Sequence, residues 1–269
     1  MPLRAHLTEL RNRFFLALAG VLVGGVVGWF FYEPMFHALS QPLLDAADAR
    51  GGFAVLNFET VAAAFDMQLK VSLFLGLLLS SPWWLYQFWA FVTPGLTRRE
   101  RLYAIGFLAA AVPLFLAGAF LAWLVLPHAV ALLTEFTPGG AANIIDAQSY
   151  LSFVMRLMLA FGLAFLLPVV MVALNFAGIG QAATWRKGWR WAVVLAFVFA
   201  AIMTPTPDAI TMIVVALPIC GLYFAALGVC TVHDRRVDRR RDAAGLPRLD
   251  GTMGPARTTG PASTTGTAA

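Results

Sequence analysis

The sequence predicts an all-α integral membrane protein with six transmembrane helices and both termini on the cytoplasmic side. Composition is the first reason: 60% of the 269 residues are hydrophobic and only 12% are charged, whereas soluble domains carry about 25% charged residues. The second is a series of long apolar runs, and the third is the distribution of basic residues between them. A soluble enzyme, a nucleic-acid-binding protein and a disordered scaffold are therefore disfavoured, despite the net charge of +5.

Six apolar runs, each bounded by charged or turn-forming residues, are the predicted spans. They cover residues 14–32, 69–92, 102–126, 150–176, 191–203 and 209–230. A helix needs about 20 apolar residues to cross a bilayer, so the fifth run is short for a full span. The two prolines of Thr204-Pro205-Thr206-Pro207-Asp208 stop a helix and predict a tight turn between the last two spans.

The distribution of Lys and Arg predicts the orientation. Sixteen of the 19 basic residues lie in the N-terminal segment, in the loops after the second and fourth spans, and in the C-terminal tail. The opposite loops carry eight acidic residues and one arginine. Because basic loops stay in the cytoplasm, the basic isoelectric point is a sign of membrane topology and does not indicate a nucleic-acid partner.

Three regions are predicted along the chain: a cytoplasmic amphipathic segment at residues 1–13, a six-helix membrane domain at 14–230 and a cytoplasmic tail at 231–269. The tail turns charged at Asp234 and then becomes rich in Gly, Thr, Ala and Pro. Such a composition cannot bury a core, so we expect the tail to be disordered.

No catalytic or cofactor motif is apparent in the sequence. The four histidines are scattered, without the HxxxH or HExxH spacing of a metal site. We therefore predict no enzymatic activity, no cofactor and no metal ion.

Two acids stand out because they lie in otherwise basic segments: Glu9, just before the first span, and Glu100, between the second and third. One interpretation is local pairing, such as Glu9 with Arg13 one helical turn later. The other is that both carboxylates receive a cationic ligand, since a guanidinium fits a carboxylate in bidentate fashion. Composition alone favours local pairing.

Arg156 is the ionisable residue that lies clearly inside a predicted span. Ionisable residues within a membrane are candidates for function. Arg156 could also extend its charged end to the outer interface, which would need no function.

Four motifs, in order along the chain, resemble the TatC family, the polytopic subunit of the bacterial twin-arginine translocase. The resemblance extends from about residue 6 to residue 230, and the motifs are highly specific together although each alone is weak. They are His6-Leu7-x-Glu9-Leu10-Arg11-x-Arg13, the run from Ser81-Pro82 through Tyr86-Gln87 and Pro94-Gly95-Leu96 to Glu100-Arg101, Ser149-Tyr150-Leu151-Ser152-Phe153, and Thr204-Pro205-Thr206-Pro207-Asp208.

The resemblance implies a concave, glove-like bundle whose fifth and sixth helices are short. It also implies a non-enzymatic receptor in the bacterial cytoplasmic membrane that binds twin-arginine signal peptides of folded cargo. TatA- and TatB-type single-span proteins are the implied partners, and the proton-motive force drives transport. The family's signal-peptide site corresponds to Glu9, Arg11, Phe91 and Glu100, which makes arginine reception the favoured interpretation of both acids.

The resemblance also implies a partner-binding region at Met203 and Thr204, with Asp208 at the following turn. The sequence departs from the family at one point. Many members carry Glu or Gln just before the proline that corresponds to Pro168, where this chain has Leu166 and Leu167. We therefore predict that Arg156 faces the concave cavity and, like Asp208, supplies polarity there.

Two other classes of protein fit the sequence less well. A small-solute transporter or channel subunit is the main alternative, but it predicts acids near the membrane midplane or two related halves, and the sequence has neither. A membrane-embedded enzyme is the other, and the sequence offers no catalytic base for it.

Overall fold

The computed structural model describes residues 3–48, 54–92, 98–135, 143–178, 180–203 and 209–249. Thr204 and Asp208 lie outside the described residues. The helices are α1 (Leu3–Phe30), α2 (Tyr32–Asp48), α3 (Val61–Leu79), α4 (Ser81–Val92), α5 (Arg98–Glu135), α6 (Ala147–Phe176), α7 (Ala182–Lys187), α8 (Trp189–Met203) and α9 (Ala209–Ala243). Two short strands, β1 (Ala54–Asn57) and β2 (Asn143–Asp146), pair in parallel.

Within the described residues, five helices are long and apolar enough to cross a membrane. They cover His6–Phe30, Val61–Leu79, Ile105–Pro127, Ala147–Phe176 and Met212–Ala243. The shorter α8, with 15 residues, corresponds to the short fifth run and supplies the sixth apolar helix. The predicted all-α membrane fold is confirmed.

The second predicted span consists of two helices, because the chain breaks at Ser80. Pro82 has no N–H to donate and disfavours a continuous helix, so α3 ends at Leu79 and α4 begins at Ser81. At its other end, α3 begins earlier than the apolar run. The Thr60 hydroxyl caps this helix by accepting a hydrogen bond of 3.2 Å from the Ala63 N–H.

Small residues let α1 and α3 approach closely. A Cβ atom built on Gly24 would lie 2.7 Å from the Gly76 carbonyl oxygen, and one on Gly28 would lie 2.6 Å from that of Ser72. Both distances are below van der Waals contact, so side chains are excluded there. Such small-residue contacts are the usual way in which helices associate in a bilayer.

The core of the bundle lies mainly between α5 and α6. Phe115 on α5 and Phe161 on α6 are both almost completely buried. Each of these phenylalanines packs against a glycine of the other helix. A Cβ on Gly118 would lie 2.6 Å from the Phe161 carbonyl oxygen, and one on Gly162 would lie 2.7 Å from the Phe115 ring.

We call the end of the bundle where α1 begins and α4 ends the basic end, and the end that carries the two strands the acidic end. At the acidic end, Asp146 caps α6, accepting hydrogen bonds from the Gln148 and Ser149 N–H groups at 3.3 and 2.8 Å. Hydrogen bonds from the Ser149 side chain and backbone lower the pKa of Asp146. The Gln148 amide also contacts Asp66, which forms an ion pair with Lys70.

The expectation of a disordered tail from residue 231 is wrong for residues 231–249. Helix α9 continues through Ala243, and Gly245, with φ of +70°, turns the chain back, a conformation that glycine adopts without a steric penalty. The Leu246 N–H then donates to the Arg241 carbonyl at 2.9 Å. Because α9 continues past residue 230, its 35 residues make it longer than the short sixth helix implied by the resemblance. Residues 250–269 lie outside the described residues.

Candidate functional site

The N-terminal turns of α1 and the last turns of α4 lie side by side at the basic end. The His6 and Phe91 rings are stacked with centroids 4.6 Å apart and an interplanar angle of 23°. One turn further into the bundle along α4, Arg13 Nη1 donates to Gln87 Oε1 at 3.3 Å. Deeper still, Trp83 Nε1 donates to the Leu16 carbonyl at 2.9 Å. These contacts fix the register of the two helices.

Glu9 and Arg13 form an ion pair on α1. Both Arg13 Nε and Nη2 donate to Glu9 Oε1 at 3.1 Å. The two side chains are partly exposed, at 28% for Glu9 and 29% for Arg13. Among the described residues, no hydrogen bond reaches the other carboxylate oxygen, Glu9 Oε2. The local pairing interpretation of Glu9 is therefore observed, and it uses one of the two carboxylate oxygens.

Gln87 joins this pair and is itself only 4% exposed. It lies one helical turn before Phe91, so α4 presents both side chains to α1. The motif contains Gln87, but it was not among the predicted site residues. Its role depends on a contact with Arg13, which lies 74 positions away in sequence.

The other predicted residues of this site are not part of the contacts among Glu9, Arg13 and Gln87. Arg11 is exposed, and among the described residues its guanidinium reaches only the neighbouring Asn12 side chain, at 3.5 Å. Phe91 is partly buried under His6. Glu100 is the third residue of α5, and its side chain lies outside the described residues.

Aromatic contacts relate α4 to α5, and the one nearer the basic end joins Trp89 to Phe107. The Trp89 and Phe107 rings are stacked, with centroids 5.6 Å apart and an interplanar angle of 17°. Glu100 precedes Phe107 by seven residues, about two turns or 10 Å along α5. The backbone of Glu100 thus lies further toward the basic end on the helix that packs against α4.

A second region is an apolar groove between α6, α8 and α9, with a volume of about 600 Å³. Leu163 and Leu167 line it from α6. Arg156 is exposed and lies on the same face of α6, about two turns before Leu163. Met203, the last residue of α8, is partly buried against the main core.

Leu166, where many family members have Glu or Gln, makes apolar contacts. It packs beside the cluster of buried side chains formed by Leu85, Trp89, Ala111, Phe115 and Val169. An ionised carboxylate in these surroundings would have to be paired or neutralised, and leucine removes that requirement.

Fold and site together define a helical integral membrane protein with a cluster of carboxylate, guanidinium and amide groups at one end of its bundle. Comparison with known proteins identifies the family. A family model described as "Sec-independent protein translocase protein (TatC)" matches residues 5–218. The chain belongs to the TatC family, as its motifs predicted.

Individual relatives agree with this assignment. The chain is 60% identical over 240 residues to the Sec-independent protein translocase protein TatC of Xylanimonas cellulosilytica, over 89% of this chain and 87% of the relative. It is 38% identical over 241 residues to that of Rothia mucilaginosa, over 89% and 82%. A crystal structure of the twin-arginine translocase receptor TatC in DDM superposes with a TM-score of 0.71 at 31% identity, over 84% of this chain and 99% of that one.

Proposed function

We propose that the protein is the non-enzymatic receptor and scaffold subunit of a twin-arginine translocase, and that its basic end binds the twin-arginine motif of signal peptides. One observation carries the proposal: Glu9 and Gln87 already hold a guanidinium, that of Arg13. The chemistry required for an incoming arginine is therefore present. The Oε2 of Glu9, to which no described residue donates, offers a further acceptor on a side chain that is 28% exposed.

Glu100 supplies the second carboxylate in this proposal. The motif needs acceptors for two adjacent guanidinium groups, and planar bidentate pairing with carboxylates distinguishes arginine from lysine. The position of Glu100 near the start of α5, the helix whose Phe107 stacks on Trp89 of α4, supports a site between the two acids. Phe91 and the exposed Arg11 border it.

The orientation belongs to the same proposal. The basic end faces the cytoplasm, both termini lie there, and the membrane is the bacterial cytoplasmic membrane. The arginines of the N-terminal segment, of the loops after the second and fourth spans and of the tail support this orientation.

Peptide binding in lipid nanodiscs tests the receptor role. A fluorescent twin-arginine signal peptide and its twin-lysine variant are titrated against the wild type, Glu9→Ala, Glu100→Ala and the double variant. A hydrogen bond to a charged group contributes about 1.5–3 kcal/mol, so each single change should weaken twin-arginine binding about tenfold or more. The twin-lysine peptide should bind weakly to every variant.

Glu33→Ala is the matched control, because Glu33 is an exposed acid at the other end of α1, in the first turn of α2. It should leave the affinity unchanged. If the Glu9 and Glu100 variants bound the peptide as tightly as the wild type does, the two acids would be surface charges and the receptor role would lack a site.

We propose that TatA- and TatB-type single-span proteins dock beside Met203 and Thr204. The partial burial of Met203 at the end of the short α8 supports this, since the side chain is neither enclosed by the core nor fully solvated. A photoreactive residue at Met203 should crosslink to such partners in membranes, whereas one at Leu22, exposed on α1, should not. Equal crosslinking at both positions would contradict a docking site at Met203.

A further inference from the structure

The cytoplasm-directed extension of α9 separates its charges onto two faces. Beyond Cys230, the sequence alternates aspartates with runs of two and three arginines through Asp242. At 3.6 residues per turn, four of the arginines fall within an arc of about 140°, and the three aspartates fall within a separate arc of about 80°. The arginine face consists of Arg235, Arg236, Arg239 and Arg240.

The aspartate face is occupied by contacts within the chain. Asp234 accepts hydrogen bonds from the Ala182 N–H at 2.7 Å and from the Asn175 amide at 2.9 Å, so it caps α7 and ties α9 to the end of α6. The other two aspartates hold the chain that folds back after Gly245. Asp238 accepts the Leu249 N–H at 2.9 Å, and Asp242 forms an ion pair with Arg248 at 2.9 Å.

The arginine face has no such contacts. All four of its side chains are exposed, and among the described residues none of them forms an ion pair or a hydrogen bond. Nearby aspartates at spacings of three or four residues would ordinarily neutralise them, but those carboxylates are engaged in the other contacts just described. Arg241 is not part of this face, because its guanidinium donates to the Pro247 carbonyl at 3.2 Å.

Aromatic side chains of the kind that favour a membrane interface lie along α9 before the arginine face. The Phe176 ring at the end of α6 stacks on His233 at 3.9 Å. The Tyr223 hydroxyl donates to the Trp185 carbonyl at 2.7 Å. Tyr and Trp favour the headgroup region of a bilayer. Arg235 and Arg236 follow His233 after Asp234. The other two arginines lie about 6 Å further along the helix, a distance over which a flexible side chain can extend back.

We propose that the arginine face binds the phosphate headgroups of anionic phospholipids in the adjacent leaflet. Arginine matches the geometry of phosphate oxygens, and basic clusters directly beside a membrane span attract acidic lipids. The rigid docking of α9 through its aspartates holds the four guanidinium groups on one side, where lipid headgroups can meet them together. This inference does not depend on a role in signal-peptide binding.

Native mass spectrometry of the full-length protein in detergent tests the proposal with two lipids of identical acyl chains, phosphatidylglycerol and phosphatidylcholine. Each arginine near an anionic surface contributes about fivefold to binding. The variant with Arg235, Arg236, Arg239 and Arg240 all changed to Gln should therefore lose about a hundredfold or more in phosphatidylglycerol affinity. Phosphatidylcholine binding should stay the same, and changing the four residues to Lys should preserve most of the affinity.

The matched control changes four other basic residues of the same end to Gln, namely Arg4, Arg186, Lys187 and Arg190. It removes the same charge and should have a much smaller effect. Two double variants, with Arg235 and Arg236 or Arg239 and Arg240 changed to Gln, should show intermediate losses of phosphatidylglycerol affinity. They replace the fourfold variant in the test if that variant does not fold. The proposal is overturned if the control is as damaging as the fourfold variant. It is equally overturned if the four arginines are needed to bind an acidic polypeptide, such as polyglutamate, but are not needed to bind phosphatidylglycerol.

Discussion

Arg13 is the residue on which the chemistry of the basic end depends most directly. Its guanidinium contacts both Glu9 and Gln87, and therefore occupies acceptors that a peptide arginine would also use. The pair is partly exposed, and such i, i+4 pairs contribute only about 0.3–0.5 kcal/mol. An internal arginine held this weakly can be exchanged for one from a ligand.

Changing Arg13 to Gln should therefore tighten the binding of a twin-arginine peptide by about twofold, the factor that corresponds to the lost pair. The measurement is the same nanodisc titration, with Arg4→Gln as a control that removes equal charge at an exposed position. A several-fold loss of affinity in Arg13→Gln alone would mean that Arg13 orients Glu9 and does not compete with the peptide.

Arg156 carries a second prediction at this scale. It is exposed on the face of α6 that continues into the groove lined by Leu163 and Leu167. If it supplies polarity to a cavity, Arg156→Leu should slow the export of a twin-arginine cargo several-fold without changing the amount of protein in the membrane. Arg156→Lys should retain most of the rate. Normal export by Arg156→Leu would indicate that the side chain only extends to the interface.

At the scale of helices, the contact between α1 and α3 depends on the absence of side chains. Gly24 faces the Gly76 carbonyl, and Gly28 faces that of Ser72, so the two backbones meet directly. Overpacking a close contact costs about 1–3 kcal/mol. The α1–α3 pair in turn supports α4, because Trp83 donates to the backbone of Leu16.

Gly24→Leu should consequently lower the unfolding temperature by roughly 5 °C, measured by scanning fluorimetry in detergent. Peptide binding should also fall, because α1 would shift relative to α4. Gly221→Ala is a suitable control, since a Cβ at Gly221 meets nothing within 4 Å among the described residues. Equal stability of Gly24→Leu and the control would show that α1 and α3 do not need this close approach.

The long apolar runs and the N-terminal motif allowed much of the helical bundle to be predicted from sequence. Helix α2 and the β1–β2 pairing could not be predicted this way. Helix α2 contains Pro42 and is too polar for a span, and the two strands are short and far apart in sequence. The pairing of Gln87 with Arg13 likewise exists only after α1 and α4 pack.

At the scale of the whole molecule, composition does not predict the folded part of the tail, because the order of its charges matters and composition ignores order. Aspartates at positions 234, 238 and 242 repeat every four residues, the spacing of one helical face. Their carboxylates accept from α6, from α7 and from the returning chain. The charged segment is therefore folded by polar contacts, without an apolar core of its own.

Asp234→Ala should loosen this whole region while leaving the bundle intact. Losing a helix cap costs about 1 kcal/mol, so amide hydrogen exchange in α7 and residues 231–249 should accelerate about fivefold. The exchange of α5 and α6 should not change. Asp45→Ala, at an exposed position on α2, is the control. Unchanged exchange in α7 would show that the cap does not hold the tail.

The sparse packing of α1 also has a consequence for the order of events during synthesis. Only 11% of its apolar segment is buried, and its principal neighbour, α3, is made later. Until α3 enters the bilayer, the nascent chain is a lone helix with an uncovered ridge of glycines. Insertion factors or neighbouring single helices would contact those glycines first. Correct assembly therefore requires α3 to replace them on α1 faster than they form a stable complex.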